Sequence, residues 1–292
     1  TTTGISIAAS LDSFSYSQIV WHAILTLAGG QAVIFIAVYL GFFGEGSFAT
    51  VASTRGYSDL VSSDFSKSSR IIWLVVGVFT VLGTIVAFCI GLYLGLPPAD
   101  ALVDAFCLAA NAANTGGFVP HTSSLVYYHC VGIDGLVLVL VMLGAVNLGI
   151  FALAMKGKFR EILRNSEFRT LVLWMAVFSV CIAIGLAHDA IYGTLSGLID
   201  RGLFMGLAAI TTSGMQTIYP EQLSTCFSDG LLILLMLATF LGASACSTGG
   251  GVKILRVMEV LRWFGYTIYR AILPRKAHLP IRYRYFGTRN MT

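Results

Sequence analysis

Three short strips of hydroxyl-bearing residues and glycine recur along this 292-residue chain. They are Thr1-Thr2-Thr3-Gly4-Ile5-Ser6, Asn114-Thr115-Gly116-Gly117-Phe118 and Thr211-Thr212-Ser213-Gly214-Met215-Gln216-Thr217. What such a strip can offer is main-chain oxygen. A short extended run ending in glycine can aim successive carbonyls at one axis, because glycine tolerates the positive φ this requires. Rings of such carbonyls replace the hydration shell of a potassium-sized ion. Gly4, Gly117 and Gly214 are the expected filter glycines, 113 and 97 residues apart. One strip alone reads more readily as a small-residue helix contact in a membrane bundle. Three at the same place in a repeated unit favour ion coordination.

A second chemistry-bearing run lies at Gly242–Lys253, where Gly249-Gly250-Gly251 follow Cys246-Ser247-Thr248. Each glycine costs a helix about 1 kcal/mol relative to alanine, so the run should break a span partway through the bilayer. No Gly-Lys-Ser/Thr follows the glycines, which excludes a nucleotide-binding loop. Lys253 has two readings. As a straight helix from Asp229, 24 residues reach about 36 Å, past the ~30 Å core, and make Lys253 an interfacial anchor. If the glycines coil below the strips, Lys253 lies near the ion path and opposes passage. On that reading Gly242–Gly251 is a gate, and Lys253 is its charged guard.

The elements that must position these strips are membrane helices. Of the residues 57% are hydrophobic and 11% are charged, against about 25% charged in a soluble domain. Such a composition excludes a cytosolic enzyme, a disordered regulator and a nucleic-acid-binding module. Five stretches reach the ~20 apolar residues a span needs, at 19–43, 70–96, 136–155, 168–186 and 231–258. Two shorter ones, 98–113 and 190–212, read as half-helices, each leading into a strip. Seventeen of the 18 basic residues fall in 55–70, 156–169 and the segment from 253 onward, so those loops are expected to be cytoplasmic. Both half-helices then enter from outside and aim their negative C-terminal ends at the membrane centre, which favours a cation there. The outer loops carry acids instead, Asp12, Asp100, Asp104, Asp134, Asp189, Asp200, Glu221 and Asp229 among them, and these would concentrate cations at the mouth. The six cysteines show no CxxC pair, although Cys130 and Cys226 share the outer side and leave a bridge open. No histidine arrangement or carboxylate pair suits acid–base work, so no enzyme activity is expected.

Thr1–Ser6, Leu11–Ser13, Asn114–Phe118, Asn165–Arg169, Thr211–Gly214 and above all Gly242–Arg256 resemble the TrkH/KtrB superfamily of potassium transporters, over the chain up to about residue 275. That resemblance implies an all-α polytopic membrane protein of span–half-helix–filter–span repeats around a pseudo-tetrameric, potassium-channel-like pore. It makes Gly4, Gly117 and Gly214 the filter glycines of repeats one to three. Thr2, Thr3, Thr115, Gly116, Thr212 and Ser213 supply further oxygens for potassium as substrate, and no cofactor is expected on this chain. Gly242, Ser247, Thr248, Gly249, Gly250, Gly251 and Lys253 form the intramembrane gate. Residues 1–69 are then the strip and second span of repeat one, 70–167 repeat two and 168–265 repeat three. Residues 266–292 are a cytoplasmic basic segment leading to repeat four. The start of repeat one and all of repeat four fall outside the chain, which is therefore expected to be a fragment. The resemblance further implies a homodimer in the plasma (inner) membrane, docked on a cytoplasmic nucleotide-binding ring of the TrkA/KtrA kind. A sodium-coupled or sodium-permeable transporter with broken helices is the alternative. It predicts inverted repeats, whereas both half-helices here enter from one side.

Overall fold

The computed structural model describes residues 11–39, 65–155, 157–189, 191–272, 282–285 and 288–291. Thr2, Thr3 and Gly4, the first strip, lie outside the described residues. The chain runs through α1 (Tyr16–Tyr39), α2 (Phe65–Tyr93), α3 (Pro98–Ala113), a 3-10 turn at Ser124–Tyr128, α4 (Val131–Ala145), α5 (Leu148–Met155) and α6 (Phe159–Arg164). It continues through α7 (Ser166–His188), α8 (Leu195–Thr211), α9 (Pro220–Thr225), α10 (Asp229–Leu241) and α11 (Ile254–Ile272). The all-α expectation holds, with one small addition: strands β1 (Arg282–Tyr285) and β2 (Thr288–Met291) pair antiparallel, Arg282 opposite Met291.

Two described helical segments, Trp73–Tyr93 and Ser166–His188, are long and apolar enough to cross a membrane, and α4 with α5 makes a third if the pair is one span. That third span departs from the unbroken helix expected over 136–155, because α4 and α5 meet at a 98° bend. The fifth span breaks where its glycines require it. The α10 helix stops at Leu241, and α11 resumes at Ile254.

The half-helices form for local reasons. Pro98 opens α3 at a position whose N–H has no helical partner, and Asp100 sits in its first turn, facing the positive helix end. The Thr194 hydroxyl caps α8 by accepting the Gly197 N–H. Each half-helix packs antiparallel on the span before it through close small-residue contacts. On α8, Gly202 and Gly206 leave room only for Ala183 and Ser179 of α7, since an added Cβ would lie 2.6 Å and 2.5 Å from them. On the α2–α3 pair, Gly83 meets Ala109 and Gly91 meets Ala101 in the same descending order. Such contacts suit a bilayer, where close van der Waals packing substitutes for a hydrophobic drive. The same span–half-helix hairpin therefore occurs twice.

Candidate functional site

Both half-helices end in the same backbone. Thr115 and Thr212 take left-handed φ values of 49° and 56°. The Thr115 N–H donates to the Ala112 carbonyl (3.1 Å) and that of Gly116 to Asn111 (2.7 Å). In α8 the Thr212 N–H donates to Ala209 (3.1 Å) and that of Ser213 to Ala208 (3.1 Å). These are Schellman closures, whose left-handed residue is ordinarily glycine or asparagine. A β-branched residue in that conformation is an outlier, costing about 1–3 kcal/mol unless its surroundings impose it. Two residues on, Gly117 and Gly214 return to positive φ, 75° and 73°, while Gly116 and Ser213 do not. Each strip thus carries one alternation, left-handed Thr, an intervening residue, left-handed Gly.

The two strips meet. A Cβ on Gly117 would stand 2.2 Å from the Ser213 carbonyl oxygen and 3.6 Å from Gly214 Cα. Thr115 and Ser213 are buried, whereas Gly117 and Gly214 keep an open face. Beyond the strips, the Leu125 N–H donates to Gln216 O (3.1 Å), and Gln216 N–H to Ser124 Oγ (3.2 Å). Phe118 stacks on His22 at 3.9 Å, and Met215, fully buried against Leu125, Tyr128 and Val137, fills the matching place after the third strip.

The broken span lies against the ends of both half-helices. The Thr248 hydroxyl donates to Gly144 O (2.9 Å) and reaches Ala113 O (3.5 Å), while the Thr115 hydroxyl donates to it at 3.4 Å. The Gly250 N–H donates to Thr212 Oγ1 (2.6 Å). A Cβ on Gly249 would lie 2.9 Å from Thr211 O. At the base of the loop, the Ala243 N–H donates to Gly250 O (3.2 Å) and the Ile254 N–H to Ala243 O (3.1 Å). Lys253, at φ 75°, turns its ammonium back onto the carbonyls of Ser247 and Gly249. The structure therefore gathers Gly242, Ser247, Thr248, Gly249, Gly250, Gly251 and Lys253 beside strips two and three.

One residue of this site had no role in the sequence reading. Glu167, fully buried in the first turn of α7, accepts the Ala245 N–H (2.6 Å) and an Asn147 Nδ2–H (3.2 Å). An acid two residues past an asparagine N-cap ordinarily reads as a partner of the helix dipole, which hides a long-range task. Asn147 serves two ends: it sits at the α4–α5 bend, and its side-chain amide donates to Glu167.

The loops expected to face outward carry carboxylates. Asp12 accepts from the Thr122 hydroxyl (2.7 Å), which holds its carboxyl below the usual carboxylate range. Asp189 is held low by the Ser228 backbone N–H (2.9 Å). His121 bridges Asp12 (3.3 Å) and Asp104 (3.0 Å), and Asp104 also accepts from Tyr128 Oη (3.0 Å). Cys130 and Cys226 are free thiols, so the bridge left open between them is not formed.

Fold and site together define a helical membrane protein in which two half-helices with buried C-terminal halves end in abutting strips of matched backbone. A family model described as a cation transport protein, TrkH, matches residues 1–284, and the chain belongs to that family. It is 26% identical over 289 residues to a protein named Trk system potassium uptake protein TrkH from Vibrio parahaemolyticus, covering 95% of this chain and 56% of that protein. The protein of the same name from Escherichia coli is 22% identical over 284 residues, covering 95% and 56%. The crystal structure of the Vibrio parahaemolyticus potassium transporter TrkH matches with a TM-score of 0.79 at 22% identity, over 96% of this chain and 55% of that one. The chain spans about half the length of the curated relatives it matches.

Proposed function

We propose that the full chain conducts potassium inward across the plasma membrane, through a filter that includes Thr115, Gly116, Gly117, Thr212, Ser213 and Gly214. Thr2, Thr3 and Gly4 contribute the strip of repeat one. The observation that carries this reading is the alternation Thr-x-Gly repeated at the ends of two half-helices and brought into contact at Gly117. Alternating handedness lets successive carbonyls face one side, which a ring of ion-binding oxygens requires. Irregular backbone at membrane depth is tolerated only against protein or a water-filled cavity, and here it runs against protein with its glycines open.

Residues 1–69, 70–167 and 168–265 make up pore repeats one to three, with the strips outward and the basic loops cytoplasmic. Loop 242–251 is the gate. The basic inner segments suit a homodimer that docks on a cytoplasmic nucleotide-binding ring. The test is growth at low potassium of cells that lack other uptake and express the full chain. Rescue by potassium, with Gly117→Ser and Gly214→Ser impaired or shifted toward sodium, supports the filter. Equal growth of all three makes the glycines mere helix contacts.

Lys253 gives a separate expectation. Its ammonium neutralises loop carbonyls and repels cations, so Lys253→Gln should raise unstimulated conductance by roughly tenfold, the effect of about 1.4 kcal/mol on a barrier. Patch recording of both proteins checks this. Conductance and gating equal to the unaltered protein would remove Lys253 from the gate.

A further inference from the structure

The structure points to Glu167 as a positioning residue of loop 242–251, and we infer that its carboxylate pins the loop to the α4–α5 bend in the non-conducting arrangement. This inference rests on the reading of that loop as a gate. An ionisable side chain fully enclosed in a membrane helix is costly and marks a functional place together with its partners. Glu167 spends both oxygens on two different elements. Oε1 takes the Ala245 N–H in the middle of the loop (2.6 Å), and Oε2 takes Asn147 Nδ2–H at the bend (3.2 Å). The Asn147 amide is oriented by its own acceptance of the Gly149 N–H (2.9 Å). A further bond, Leu148 N–H to Cys246 O (3.1 Å), ties the same bend to the same loop. The anchor itself is fixed, because Asn165 caps α7 by accepting the Glu167 (2.9 Å) and Phe168 (3.4 Å) N–H groups. Three segments that are distant in sequence therefore share one carboxylate. The loop cannot lift from the half-helix ends without surrendering the Ala245 bond.

The chemistry explains why an acid stands here. Two N–H donors converge on Glu167, and a carboxylate supplies two acceptors, whereas an amide supplies one acceptor and one donor. Glu167→Gln therefore sets an N–H against Asn147 Nδ2–H and breaks one tether. Adding Asn147→Asp restores complementarity. The new carboxylate can accept from the amide with one oxygen and keep the Gly149 bond with the other.

The loop contains a natural reporter, Cys246, free and buried, and α3 contains a second buried free thiol, Cys107, as control. In membranes holding the full chain, N-ethylmaleimide labelling of each thiol would be timed by peptide mass spectrometry, and rubidium flux measured in parallel. Glu167→Gln should label Cys246 about tenfold faster, the scale of one lost bond to a charged group. Cys107 should stay protected and basal rubidium flux should rise. The paired Glu167→Gln and Asn147→Asp protein should return toward the original on both counts. Unchanged Cys246 labelling, equal acceleration at Cys107, no recovery in the paired protein, or unchanged basal flux in a protein that does pass rubidium would each overturn the inference. Labelling that follows the expected pattern while no variant passes rubidium would keep Glu167 as the loop's anchor and refute the potassium reading instead.

Discussion

Gly117→Ser is expected to abolish growth at low potassium, whereas Gly214→Ser should leave part of it and shift selectivity toward sodium. Both glycines sit at positive φ, 75° and 73°, so any side chain costs each about 1–3 kcal/mol of backbone strain. The two differ in what a side chain would meet. At Gly117 the first added carbon falls 2.2 Å from the Ser213 carbonyl oxygen, and no backbone atom can rotate out of its way. The third strip would have to move as a body, taking with it the carbonyls proposed to hold the ion. At Gly214 the nearest atom is Gly117 Cα, at 3.9 Å, an ordinary van der Waals distance. A serine there keeps the strips in place and changes only what lines the open face. Rubidium uptake with sodium competition reads both effects. Indistinguishable kinetics for the two variants would show that the contact between the strips does not shape the ion path.

Gly251→Ala and Gly242→Ala should release the gate loop, and either change should lower the thermal midpoint of the purified protein and leave it leaky. At the neck of the loop two backbones pass each other in contact. A Cβ on Gly251 would lie 2.4 Å from Gly242 Cα and 2.9 Å from Thr239 O, and one on Gly242 would lie 2.3 Å from Gly250 O. Both φ values, 80° and 73°, add strain for alanine. Prying the neck apart endangers Ala243 N–H to Gly250 O and Val252 N–H to Phe240 O, at 3.2 Å and 2.9 Å. Strain and two lost backbone bonds together cost about 3–5 kcal/mol. Gly265→Ala is the internal comparison. Gly265 lies in α11 with nothing within 4 Å of an added Cβ, so the change should be neutral or stabilising by up to about 1 kcal/mol. A thermal midpoint and basal flux for Gly251→Ala that match Gly265→Ala would show that the neck does not hold the loop closed.

Where signals are local, the chain could be read closely. The half-helix expected over about 98–113 forms as Pro98–Ala113, with Pro98 in its first turn and the polar Asn114-Thr-Gly-Gly run closing it. A break in the fifth span is equally plain from Gly249-Gly250-Gly251, although the helix already stops at Leu241, with Gly242 at positive φ as its C-cap. The start of α8 was less so. The apolar run begins at 190, but the helix begins at Leu195, after the Thr194 cap. The one local mark of the bend between α4 and α5 is Asn147, whose side chain accepts the Gly149 N–H at the start of α5. Ala145, Val146 and Asn147 contain neither proline nor glycine, and the helix turns there because distant groups take up its freed polar atoms. Ala145 O accepts from Ser244, and the Leu148 N–H finds Cys246 O.

Composition, charge placement and glycine spacing thus determine a bundle of membrane helices with half-helices ending in glycine strips and a broken fifth span, since each depends only on residues near one another in sequence. That Gly117 abuts Ser213, that Thr248 reaches Ala113 from 135 residues away, and that Glu167 holds Ala245 follow from the fold alone. A bilayer leaves no water to satisfy a stray carbonyl or carboxylate. Each such group must therefore find its partner across the fold, where sequence neighbours carry no record of it.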